Sequence, residues 1–190
     1  MRKNESAWIQ TFSGVKYYPL EPLAEDVRLE DIAHALSLVC RFGGHCKQFY
    51  SVAEHSIRCC EYVNRKCLLT RSSKKHILLA ALMHDAAESF LADISRPVKK
   101  TMRQFSDIED LNIKAIAEKF QFGYPWNEEV EYWVKRADNV MLATEARDLM
   151  APPPEKWLFS PEPPDDHWIV PMTSQEAERT FLALYDELTQ

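Results

Sequence analysis

The segment LAALMHDAAESF places an imidazole and a carboxylate, His84 and Asp85, directly after an apolar run. At the inner end of a buried helix such a pair costs several kcal/mol unless it is paired or bound to a cation. Imidazole nitrogen and carboxylate oxygen together suit a divalent transition metal: Mn, Co, Zn, Fe or Ni. The five cysteines (Cys40, Cys46, Cys59, Cys60, Cys67) are odd in number and lack paired CxxC spacing. They therefore disfavour a thiolate zinc site and a disulfide framework, and read as reduced, mostly buried small side chains. The expected site is catalytic rather than structural. Two ligands are too few, and the remaining candidates are His55, beside Val52, Ala53 and Ile57, and Asp138, between Ala137 and Val140-Met141-Leu142. A single histidine on an apolar face is more commonly a satisfied core residue; the four together favour a metal.

Helices must position these residues. Leu29 to about Cys40 carries Ile32, Ala33, Leu36 and Val39 at helical spacing, and Arg41-Phe42-Gly43-Gly44 ends it. Ser51 and Glu54 form a capping box for a helix to about Lys66, with His55 in its first turns. Ser73 caps a third helix to about Phe90, apolar on every side from Ile77 to Met83 and so surrounded by others, with His84 and Asp85 at its inner end. A fourth helix is expected from about Met102 to Phe120. A fifth, containing Asp138, starts after Asn127 and ends before Pro152-Pro153-Pro154. Thr173 and Glu176 form a second capping box for a last helix, 173–189, with Ala177, Phe181, Leu184 and Leu188 on one face. The expected fold is all-α, a bundle of about six helices. WIQTFSGVKYYPL adds a small N-terminal β-hairpin, read as an edge decoration. Residues 151–171, which hold seven of the eleven prolines, should be an irregular surface loop that either covers a site or merely connects.

At 190 residues and 46% hydrophobic content the chain can bury one core, so a single domain 1–190 is expected, with core motifs at about 29–150. The formal charge of -6 argues against tracking a nucleic acid polymer, although one pocket could still be locally basic. No apolar run reaches the roughly 18 residues of a membrane span, and the first residues lead into no signal-peptide core. A cytoplasmic protein without membrane contact is expected.

His55, then His84-Asp85, then Asp138, on successive helices and in that order, resemble the HD-domain metal-dependent phosphohydrolase superfamily. The segments RFGGHCKQFYSVAEHS, ALMHDAAESFLADISRPVKK and RADNVMLATEARDL, within about 41–149, are similar to short bacterial and prophage HD proteins of the YfdR type and, more distantly, to YfbR-like 5'-deoxynucleotidases. The hairpin and the last helix resemble the YfdR type as well. The resemblance implies an all-helical fold, a metal held by His55, His84, Asp85 and Asp138, and hydrolysis of phosphate esters of deoxynucleotides. It implies acidic active-site residues at Glu88 and Asp93 and phosphate contacts at Arg41 and Lys99. Phe42 and Pro97 match positions that meet the base, and related enzymes often form homo-oligomers.

Local chemistry supports part of this. Glu88 lies four residues after His84, on the same face of a helix, and could act as a general acid or base; on its own it would read as a solvated helix-end carboxylate. Asp93 could instead cap the following turn. Arg41 offers a planar fork for phosphate beside Gly43-Gly44, or a surface salt bridge. Lys99, Lys100 and Arg103 could line a basic wall or a solvated face, and Phe42 could simply pack in the core. His45 could contact substrate, while His34, His76 and His167 read as structural or exposed. Trp126, Tyr132 and Trp133 could serve an interface or the chain's own core. The expected activity is release of phosphate from deoxynucleoside 5'-monophosphates. The alternatives are a deoxynucleoside triphosphate triphosphohydrolase, for example on dATP, and a non-catalytic metal-containing nucleotide sensor. A purely structural helical protein would hold its histidines by hydrogen bonds alone.

Overall fold

The structure, a computed structural model, describes residues 7–155, 157 and 162–190. Its order is β1 (Ile9–Gln10), β2 (Lys16–Tyr17), α1 (Leu29–Leu38), α2 (Val52–Lys66), α3 (Arg71–Met83), α4 (Glu88–Leu91), α5 (Arg96–Lys99), α6 (Arg103–Phe120), α7 (Glu128–Leu149) and α8 (Ser174–Thr189), with tight 3-10 turns at Ala24–Asp26 and Arg41–Gly44. The six helices of ten residues or more, α1, α2, α3, α6, α7 and α8, match the expected bundle, and α4 and α5 are single turns. None is long and apolar enough to cross a membrane.

Helix α3 sits centrally, packed by α2, α7 and α8, with Ile77 through Met83 all buried, as an all-round apolar run requires. One core runs from Tyr17 to Leu188, and a smaller one joins Tyr50, Leu149 and Ile169. Asn127 caps α7 through the Val130 amide, and Thr173 with Glu176 completes the expected capping box on α8. Ser51 caps α2 through the Glu54 amide at 3.1 Å, but Glu54 does not reach back. Its fully buried carboxylate instead takes Arg58 one turn on and the Met172 amide at 2.9 Å, fixing the approach to α8.

Two further expectations are corrected. The third helix begins at Arg71, so Ser73 falls within its first turn (its side chain lies outside the described residues), and it ends at Met83 rather than near Phe90. His84 to Ala87 form a tight turn with bonds three residues apart, Ala86 to Met83 at 3.0 Å and Glu88 to Asp85 at 2.9 Å. His84 is itself one cause, since its Nδ1 takes the Ala81 carbonyl at 2.8 Å. The hairpin, moreover, is more than an edge decoration. Tyr17 is fully buried, stacks on Phe90 at 3.7 Å and donates to Asn112 of α6 at 2.6 Å, while the Ser13 amide and hydroxyl both reach Asp31 of α1.

The proline-rich stretch has no helix or strand among its described residues; 156 and 158–161 lie outside them. It straps onto α7 through the Asp165 amide to Thr144 at 2.8 Å and the Ile169 amide to Asp148 at 2.9 Å.

Candidate metal centre

Three elements bring the four expected ligands together. His55 lies in the second turn of α2, Asp138 midway along α7, and His84-Asp85 in the turn that closes α3. Adjacent residues of a regular α-helix point about 100° apart and do not meet. The tightened turn removes that obstacle, and His84 Nε2 stands 3.3 Å from Asp85 Oδ2. From His55 Nε2 the distances are 3.3 Å to His84 Nε2, 3.6 Å to Asp85 Oδ2 and 3.4 Å to Asp138 Oδ1. Ligand bonds of about 2.0–2.2 Å would set neighbouring donor atoms roughly 3.0–3.5 Å apart, so this spacing fits a metal ion.

The proton inventory points the same way. His55 Nδ1 meets Glu145 Oε1 at 2.6 Å, and His84 Nδ1 meets the Ala81 carbonyl at 2.8 Å. Both oxygens only accept, so each Nδ1 carries the proton and each Nε2 presents a lone pair. Two such nitrogens and two carboxylate oxygens then converge with no hydrogen between them. A cation must resolve that, whether an added proton or a metal. Burial and Arg41 oppose protonation of His55, yet Cys59, Glu145 and Asp138 outweigh them and raise its pKa well above the usual range. Burial alone would raise Asp85, but His84, His55 and Arg41 hold it well below the carboxylate norm. Asp138, similarly opposed by burial, is held at about 2 by His55.

Cys59, one turn after His55, places its sulfur 3.5 Å from His55 Nε2, and His55, Cys59 and His84 form a group that could hold a metal ion. Burial pushes the Cys59 thiol up to about 11 against the pull of His55, which makes a thiolate costly there. His55 is fully buried, whereas the Asp85 and Asp138 side chains are 22% and 25% exposed, so the centre opens to solvent on its carboxylate side.

Sequence reasoning missed Glu145. It is fully buried seven residues after Asp138 on the same face of α7, and it gathers His55, Tyr50 at 3.0 Å and Arg41 Nε at 3.1 Å. Arg41 and His55 keep it ionised, lowering its pKa against full burial. A charged residue in the stretch LATEARD, two turns from a suspected ligand, was the available signal. Arg96, also missed, pairs with Asp138.

Arg41 is buried between Glu145 and Asp85, the latter at 3.6 Å. A bridge between Cys40 and Ser51 closes the loop that returns the chain from Arg41 to α2, which is why the two arrive side by side. Phe42 adopts φ 55°, a left-handed strain for a non-glycine residue, and its half-buried ring lies 5.4 Å from the Arg41 guanidinium and 6.3 Å from Trp157. Glu88 is buried with Oε2 unpartnered, and burial, reinforced by Asp85 and Asp93, raises its pKa well above normal. Burial also raises Asp93, against Arg41; α5 is preceded by Ser95, with no side-chain cap. Lys99 pairs with Glu109, and Pro97 is exposed in the first turn of α5. His45 is exposed and lines a different cavity, with Arg147 and Trp157. His34 stacks on Phe12 at 3.7 Å and meets Glu178, while His76 and His167 are exposed. All five cysteines are free.

Fold and site thus define a predominantly helical protein with a buried cluster able to hold a metal. The chain belongs to the YfdR-like family. It is 31% identical over 186 residues, 97% of each chain, to the uncharacterized protein YfdR of Escherichia coli strain K12. To an uncharacterized protein of Rhodobacter capsulatus it is 32% identical over 146 residues, 75% of this chain and 73% of that one. No family model matches the chain.

Proposed function

We propose that this protein is an HD-type, metal-dependent phosphohydrolase that releases phosphate from deoxynucleoside 5'-monophosphates. The observation that carries the reading is the convergence of His55 Nε2, His84 Nε2, Asp85 Oδ2 and Asp138 Oδ1 at 3.3–3.6 Å. These four residues would hold a divalent transition metal. When bound, such an ion acidifies a water and offsets phosphoryl charge. Glu145 orients His55 through Nδ1, and the Ala81 carbonyl does the same for His84. Glu88, whose pKa burial and the neighbouring Asp85 and Asp93 raise, would give its proton to the departing oxygen. Arg41 and Arg96, although held by carboxylates, would add positive charge beside a single phosphate, and Asp93 would support proton movement.

The cations favour a monophosphate over a triphosphate. Arg41, Arg96 and Lys99 are each already paired with a carboxylate. Lys100 and Arg103 line a separate groove with Met102 and Phe105 instead of joining Lys99 beside His84 and Asp85. A basic channel long enough for three phosphates is therefore not assembled among the described residues.

The test is phosphate and nucleoside release from deoxynucleoside mono- and triphosphates and ribonucleoside monophosphates, with Mn, Co, Mg or Zn restored after chelation. Metal-dependent release of inorganic phosphate from the deoxynucleoside monophosphates is expected. Release of intact triphosphate would transfer the assignment to a triphosphohydrolase, and silence with metal bound would favour the nucleotide sensor.

A further inference from the structure

A cleft of about 370 Å³, large enough for a small ligand, is lined by His84 and Asp85 together with Lys99, Glu109, Asp110, Tyr124 and Trp126. Its charges are paired and not open to a phosphate chain. The Lys99 ammonium is held by Glu109, and Asp110 accepts from Lys114 and from Tyr124 at 2.9 Å. The one ammonium that lines the cleft, Lys99, is thus already paired, as Asp110 is with Lys114. Part of its wall is aromatic, with Tyr124 and Trp126 packed edge to face at 5.3 Å. Such a surface suits a planar or sugar-like neutral group and repels polyanions.

We propose that this cleft seats the uncharged nucleoside part of the ester, and that Glu109 is a specificity-determining residue which excludes longer phosphate chains by occupying Lys99 and by its own charge. The inference rests on the phosphohydrolase reading and extends it to substrate class. The ester's single phosphate stays at the metal centre, while the nucleoside extends toward Trp126. Glu109 also offers acceptors to hydroxyl or amino hydrogens on that group.

The test measures affinity for dAMP and dATP by calorimetry, with manganese in excess over nucleotide, for the wild type, Glu109→Gln and the double variant Lys99→Met/Glu109→Gln. Glutamine keeps the side-chain shape and removes the charge. In Glu109→Gln the dATP affinity relative to dAMP should rise about tenfold, and the double variant should lose that gain. An unchanged ratio in Glu109→Gln, a gain surviving without Lys99, or a wild type that binds neither nucleotide would overturn the proposal. Catalysis is scored separately: a wild type that binds dAMP but releases no phosphate with any metal sinks the phosphohydrolase reading without touching the affinity ratio.

Discussion

His55 and His84 present their Nε2 atoms to each other at 3.3 Å while both Nδ1 atoms are committed elsewhere, one to Glu145 and one to the Ala81 carbonyl. In the metal-free protein a proton can take the place of the ion: against burial and Arg41, the neighbours Cys59, Glu145 and Asp138 raise the His55 pKa. Metal must displace that proton, so affinity should increase with pH. At pH 7, titration of zinc or manganese in two buffers of different ionisation heat should show net proton release. The sign for stability follows. His55, with a folded pKa above its unfolded value, stabilises the metal-free fold fully below about pH 6.5 and loses that contribution as pH rises through the folded value. Metal should therefore raise Tm more at pH 8 than at pH 6; equal shifts with no proton release would contradict this account of the pair.

Asp138 and Glu88 separate holding a metal from moving a proton. Asp138→Asn removes a converging oxygen charge and the partner of Arg96, so bound metal and activity should be lost together. The affinity loss should exceed the roughly 10–100-fold typical of an outer supporting residue. Glu88→Gln should retain metal while its rate falls about 10²–10⁴-fold. Because burial raises the Glu88 pKa, its protonated form persists to higher pH than that of a free carboxyl, and the wild-type rate should decline as pH rises through the raised value. That limb should vanish in Glu88→Gln, as a pH–rate profile with metal analysis will show.

Much of this was legible because periodicity and capping are local. The apolar run Ile77–Met83 marked the central helix, Asn127 and Thr173 marked helix starts, and polar residues on apolar faces gave the four converging side chains. What escaped depended on partners distant in sequence. Glu54 abandons the expected reciprocal cap for Arg58 and Met172, and Lys99, Lys100 and Arg103, a single run of charge in the sequence, divide between two grooves. The early end of α3 required a side chain to compete for a backbone carbonyl, as His84 does at Ala81. Helical spacing alone, carried through His84 and Asp85, would have turned the two side chains apart.

Glu145 links Arg41 and Tyr50 to His55, one of the four converging side chains. Glu145→Gln preserves shape but leaves buried Arg41 with the more distant Asp85 as its remaining near countercharge. Breaking a buried pair costs about 3–5 kcal/mol, and denaturant unfolding should approach the lower end of that range. Metal affinity should fall about 10–100-fold because His55 loses its orienting charge. A loss of stability with unchanged metal affinity would confine Glu145 to packing.

Tyr17 tests whether the hairpin is structural. Its hydroxyl donates to Asn112 Oδ1 at 2.6 Å, both residues are fully buried, and Asn112 Nδ2 already serves the carbonyls of Pro19 and Ile108. Tyr17→Phe keeps the stack on Phe90 but strands a buried acceptor, which costs about 1–3 kcal/mol. In a chain of this length that corresponds to a fall of a few degrees in Tm. Asn112→Ala should also destabilise, and combining it with Tyr17→Phe should cost less than the two single losses added, because the hydroxyl and the amide depend on each other. Strict additivity in that double-mutant cycle would mean that the hydroxyl and Asn112 do not depend on each other, leaving the hairpin to the ring of Tyr17 and to Ser13 on Asp31.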